Sequence, residues 1–191
     1  MIVSWVRHGP THQKNFVGWR DVPADLSDKA QIARPTDYLP RDARVVSSDL
    51  TRSVDTATAI QGSRDRLPHV PGLREFHFGA WDGVHFSKIA EDHPVLSRKY
   101  WEEPGDHTPP GGESWNMGAA RMSAAVDTVI AQNGGTNLII VVHIGVILTQ
   151  VQRALNCSAY EVLAHKIDNL SVTQIDMSGD APKLLKINHL P

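Results

Sequence analysis

The chain has 191 residues, enough for one well-buried core, and 19 Lys and Arg against 21 Asp and Glu leave a formal net charge of -2, which supplies no global field for nucleic acid or an anionic membrane. The single cysteine, Cys157, excludes an intramolecular disulfide framework, and the opening MIVSWVRHG carries no leader pattern, so a cytoplasmic location is expected. The longest apolar stretch, NLIIVVHIGVIL, is interrupted by His143 and is too short to span a membrane.

In chain order, IVSWV (2–6) reads as a strand that ends at Arg7 and His8. ARVVSS (43–48) reads as a second, running into a helix, LTRSVDTATAI, with Leu50, Val54, Ala57 and Ile60 on one face. VPGLREFHFGAWDG (70–83) looks like an apolar strand-like piece followed by a Gly-containing turn, and PGDHTPPGG (104–112) like a surface loop. Ser114 has the character of an N-cap for a helix to about Gln132, stopped by NGG. LIIVV (138–142) is a strand buried on both faces, and the helix after it carries Ile147, Leu148, Val151 and Leu155 on one side. LSVTQIDM and KLLKI close the chain as two strands around SGDAP. This alternation predicts one α/β domain over residues 1–191, a three-layer α/β/α sandwich with a mostly parallel central sheet.

Chemistry-bearing residues recur where predicted strands end. Arg7 and His8 follow the first strand, Arg52 sits in the first turn of the helix after Ser47, Ser48 and Asp49, and His143 follows LIIVV. Ligands in open α/β sheets collect beyond the carboxyl ends of the strands. Two guanidiniums offer donor forks for a tetrahedral oxyanion and two imidazoles can act as nucleophile, donor or base, so the set reads as a phosphate site. Cleaving a phosphate ester also calls for an acid to protonate the leaving oxygen, and Glu75 is the candidate. Taken alone, a Glu in a loop such as LRE reads first as a solvated charge.

These residues resemble the histidine phosphatases, the phosphoglycerate-mutase-like superfamily. Arg7-His8-Gly9 is similar to its opening R-H-G, Ser47 to Ala57 to its S-S-x-L-x-R-[AS]-x-x-T-A block, and Leu73 to Gly83 to its L-x-E-x-x-x-G-x-W-[DE]-G block. PPGGES (109–114) and VVHIGVI follow in the family's order. The resemblance implies that His8 is a nucleophile forming a phosphohistidine, that Arg7, Arg52 and His143 hold phosphoryl oxygens, and that Glu75 is the general acid and then the base. Thr11, Lys14 and Asn15 would lie against substrate from the first loop. The pattern usually has Glu after R-H-G, Asn seven positions after the Arg and Gly after the second His; here Pro10, Lys14 and Ile144 occupy those places, with Asn15 one step on. Ile144, beside Val142 and Val146, is expected to face the core.

The expected function is therefore a metal-independent, acid-type phosphomonoesterase acting on a small phosphorylated metabolite, with no cofactor and no metal, no nucleic-acid or membrane partner, and an oligomeric state the sequence leaves open. Too little chain precedes His143 for the insertion of the mutase branch. A phosphoglycerate mutase, a sugar-phosphate or α-ribazole-phosphate phosphatase, a protein phosphohistidine phosphatase and a non-catalytic binder of phosphorylated ligands stand as alternatives. Trp19, Trp81, Trp101 and Trp115 read first as core or filler, with the lining of a pocket for a ring-bearing substrate as the alternative, His12, His77 and His85 read as bystanders, and Cys157 as structural.

Overall fold

The β-branched runs become strands and the runs between them helices. The computed structural model describes residues 1–191. Its strands are β1 (Ile2–Arg7), β2 (Arg44–Ser47), β3 (Leu138–Val142), β4 (Val172–Asp176) and β5 (Lys183–His189). Its helices are α1 (Lys29–Tyr38), α2 (Thr51–Ile60), α3 (Phe86–Asp92), α4 (Pro94–Glu102), α5 (Trp115–Gln132), α6 (Ile144–Leu155) and α7 (Ala159–Val162). They form one sheet in the order β2-β3-β1-β4-β5. β1, β2 and β3 are parallel, with Trp5 opposite Ile140 and Val46 opposite Ile140 from the other side. β4 pairs antiparallel with β1, and β5 pairs antiparallel with β4, the last two strands being joined by a short turn as an antiparallel pair allows.

Alternation along the strands divides the core between the two faces of the sheet, giving the expected α/β/α layering. Val3, Trp5, Leu138, Ile140 and Val142 point to one face, where α5 contributes Met122, Val126 and Val129 and α6 contributes Val146, Ile147 and Val151. Val6, Val45, Ile139 and Val141 point to the other, against Ile32 of α1 and Ala57 and Ile60 of α2. Each such aliphatic side chain, fully buried, contributes about 1.5–3 kcal/mol relative to exposure, so a one-residue slip of β1 or β3 would be heavily disfavoured.

Three local expectations change. The buried face of α2 is Arg52, Ser53, Thr56, Ala57 and Ile60, with Val54 only partly covered; it is more polar than an amphipathic pattern implies, because part of it borders the candidate site rather than the core. On α6, Leu155 is 43% exposed, the helix end having run past the sheet. The strand-like piece before Glu75 is a 3-10 turn, Pro71–Leu73, followed by irregular chain, since Pro71 removes a ladder donor. α1, α3 and α4 carry few buried apolar residues (Ile32 and Pro35; Ile89; Tyr100 with Ser97), so no helical period announces them. α5 starts as its sequence implies, Ser114 Oγ accepting from Met117 N at 3.2 Å.

The irregular stretch 74–83 is fixed by the loop that precedes α5. Ala80 N donates to Pro110 O (2.8 Å), Glu113 N to His77 O (2.9 Å), and His77 N to Glu113 Oε2 (2.8 Å). Gly79 is required at this junction: its φ is +54° and a Cβ would strike the backbone of Pro110 and Gly111.

Candidate active site

The parallel strands end on one side of the sheet, and the polar residues that follow them converge there. His8 directly follows β1. Its backbone N donates to Val142 O (2.9 Å), its O accepts from Asn169 Nδ2 (2.8 Å), and the next amide, Gly9 N, donates to Thr56 Oγ1 of α2 (2.9 Å). The ring is set by a 2.7 Å bond from Nδ1 to Gly9 O. A carbonyl only accepts, so Nδ1 carries the proton and Nε2 keeps its lone pair. Burial, with the charges of Arg52 and Arg7, pushes the His8 pKa down to about 3, against the opposing pull of Gly9 O. The imidazole is neutral at physiological pH.

Arg52, 1% exposed, donates from Nη2 to Gly18 O (2.7 Å) and from Nη1 to Arg20 O (3.1 Å). Arg7 donates from Nη1 to Ile167 O (2.6 Å). In both guanidiniums Nε is buried with no partner, as is Nδ1 of His143. His143, fully buried, lies with its ring centroid 5.2 Å from that of His8, and its Nε2 is 3.0 Å from Ser48 Oγ and 3.3 Å from Ser53 Oγ. Burial above all, then the charge of Arg52, holds its pKa well below the usual imidazole value. Unpartnered buried polar atoms are uncommon, and three of them sit among these residues.

Glu75 is 4% exposed. Oε1 accepts from Phe76 N (2.9 Å) and Oε2 from Gly145 N at the start of α6 (3.1 Å). Burial raises its pKa against the opposing pull of those two amides and of Arg52 and Arg7. The approach depends on Gly145, where a Cβ would collide with the Glu75 carboxylate and the Phe76 ring. A glycine close to the second histidine is therefore needed, one position later than the resembling pattern has it.

A cavity of about 340 Å³ opens over these groups, lined by Arg7, His8, Arg52 and Glu75 together with Thr11, Gln13, Asn15 and Gly145. Asn15 faces it while donating to Gly83 O (2.8 Å). Lys14 is exposed and does not line the cavity. His143 is not among the residues that line the cavity, although its ring neighbours that of His8. Ile144 corrects an expectation: half-buried against the core, it lines the cavity, because it shares a helix face with Leu148 four residues on, which lines it too. Trp101 and Trp115 are also wall residues, whereas Trp81 is core and Trp19 donates from Nε1 to Glu75 O (2.7 Å). Sequence reasoning passed over Gly145, Asn169 and the hydroxyls of Ser48, Ser53 and Thr56 as parts of this site. Only the offset glycine in HIG offered a signal. No group of three or more His, Cys, Asp or Glu stands together as a metal-holding cluster, and no helix is long and apolar enough to cross a membrane.

Comparisons with known proteins show the family and the fold. The family model described as the histidine phosphatase superfamily (branch 1) matches residues 3–190. A bifunctional protein of Mycobacterium tuberculosis is 30% identical over 177 residues, covering 91% of this chain and 46% of the relative, so the chain spans about half the length of that relative. A metal-independent phosphoserine phosphatase of Arabidopsis thaliana is 31% identical over 182 residues, covering 90% of this chain and 74% of its own. Among solved structures, YhfR of Bacillus stearothermophilus superimposes with a TM-score of 0.91 at 23% identity, over 100% of this chain and 98% of the other; that likeness bears on the fold.

Proposed function

The chain belongs to the histidine phosphatase superfamily, and from that premise we propose that it is a metal-independent, acid-type phosphomonoesterase that hydrolyses a small phosphorylated metabolite through a phosphohistidine on His8, within one histidine phosphatase domain spanning residues 1–191. The observation that carries the reading is the state of two buried groups: His8 is neutral with Nε2 open, and burial favours a protonated Glu75. In the first step Nε2 attacks phosphorus in line, the ester P–O bond breaks, and Glu75 gives its proton to the departing oxygen. In the second, the Glu75 carboxylate takes a proton from water as the water oxygen attacks the phosphohistidine, His8 leaves, and inorganic phosphate is released. The Nε groups of Arg7 and Arg52, without partners in the chain, would bind the equatorial oxygens. Ser48 donating to Nε2 of His143 would leave Nδ1 as an N–H donor to the same oxygens. Thr11 and Asn15 would border the bound ester, with Lys14 attracting it from the rim.

The test is hydrolysis of p-nitrophenyl phosphate in excess EDTA, followed by rapid quench after brief exposure to labelled substrate. Activity should survive the chelator, and the label should reside on His8, stable in base and lost in acid as a phosphoramidate is. Activity abolished by EDTA and restored by a divalent cation, or label retained in His8→Ala, would overturn the mechanism.

A further inference from the structure

We propose that the leaving group of the substrate carries an uncharged aromatic ring, held against Trp101, Phe16 and Trp115, and bears no second anionic group; this rests on the phosphatase reading above. The cavity is far larger than a phosphate needs, and ten of its 18 lining residues are hydrophobic. Its charged members, Arg7 and Arg52, and the ionisable His8 and Glu75 all belong to the phosphate end. A carboxylate on the leaving group would find no further cation in the lining. Of the neighbouring cations, Arg20 is engaged with Asp82 and Gln13, Arg121 with Glu113 and loop carbonyls, and Arg153 with Asp127, while Lys14 and Arg98 stand outside the lining. An anion pressed against the apolar wall would lose hydration without gaining a partner.

The wall itself presents flat, prearranged faces. Phe16 and Trp101 stack with centroids 5.7 Å apart and planes 17° from parallel, and Trp115 stacks on Phe76 at 5.1 Å. Trp115 is pinned by a 2.8 Å bond from Nε1 to Gln152 Oε1, so it loses little freedom on binding a ring. Trp101 remains 40% exposed, giving an incoming ring an indole surface to cover. Tyr100 also lines the cavity, and its hydroxyl can serve a neutral acceptor on that ring.

The experiment compares kcat/KM for 2-phenylethyl phosphate and O-phosphoserine, two alkyl esters that differ in ring and charge. The aromatic ester is expected to be favoured by at least roughly tenfold, Trp101→Ala to reduce that ratio by roughly tenfold, and Trp101→Phe to restore most of it. Equal or reversed preference, or a Trp101→Ala loss identical for both esters, would overturn the proposal. If no ester, p-nitrophenyl phosphate included, is hydrolysed, the phosphatase reading fails separately; tryptophan-fluorescence titration with the same two phosphates then reads the ring preference. Tighter binding of phenylethyl phosphate would support it, and equal or weaker binding would overturn it.

Discussion

Two buried regions rich in arginine and carboxylate lie side by side in this protein, and they differ in what their polar atoms are doing. Behind the cavity, Arg121 uses every nitrogen: Nε and Nη2 grip Glu113, Nη1 donates to Gly72 O and Arg74 O, and Nη2 also reaches Glu75 O. Arg64 similarly turns its guanidinium onto the carbonyls of Thr36, Leu39, Pro40 and Ile60. At the cavity, Arg7, Arg52 and His143 each keep a buried nitrogen without a partner, and Glu75 has amides but no directly bonded cation. A saturated pair holds loops together. An unsaturated set has a desolvation penalty that a bound anion would relieve.

The sharpest way to break that contrast is to delete one arginine from each region. Arg52→Ala is expected to lower kcat/KM by ~10³ to 10⁵ for every phosphate ester, by analogy with arginine contacts in phosphoryl transfer, with a modest change in Tm. Turnover assays and melting curves on one preparation measure both, and a small rate effect with a large loss of Tm would place Arg52 among the structural arginines.

Glu75→Gln comes next. Removing a general acid is expected to slow hydrolysis by ~10² to 10⁴ for poor leaving groups and far less for p-nitrophenyl phosphate. The pH profile supplies the sign. With its folded pKa raised, Glu75 is the competent acid at low pH, so kcat/KM should fall as pH rises through that value, while the limb due to His8 lies at about pH 3. Because the folded state binds this proton more tightly than the unfolded, the associated stability is full below the ordinary carboxylate value and lost as pH rises through the folded one. Denaturant titrations across pH should show that slope in the native protein and its absence in Glu75→Gln.

Arg121→Ala tests the saturated region. With one partner gone, a 10% exposed Glu113 side chain loses its cation, which is expected to lower stability by about 2–4 kcal/mol, less than for a fully buried pair because Arg121 is partly exposed. The loss of kcat/KM is expected to be much smaller than for Arg52→Ala.

Ile144→Ala should have the smallest effect. A half-buried wall residue truncated to Ala is expected to cost about 1 kcal/mol and to shift the ranking of large against small esters a few-fold, measured by a melting curve and a substrate panel. An unchanged ranking would return Ile144 to a purely core role.

Much of this was legible along the chain. The β-branched runs gave the three parallel strands because strands buried on both faces must be apolar throughout, and Arg7, His8, Arg52 and His143 were legible because strand ends in such sheets converge. α1, α3 and α4 were not, since helices with one or two buried apolar residues have no period to read. The buried polar face of α2 was equally hidden, because Ser53 and Thr56 look solvated until His143 and Gly9 come to meet them.

The sequence by itself determined the sheet, the nucleophile candidate and the pairing of two arginines with two histidines, because those follow from local hydrophobic pattern and from which residues end a strand. Only the tertiary structure decided that Glu75 and not Glu113 is the carboxyl left without a cation, that Gly145 is the position where the chain must lack a side chain, and that Ile144 and Trp101 line the cavity. Each depends on which atoms distant in sequence come within hydrogen-bonding or van der Waals range, and burial then sets their protonation and their freedom to bind.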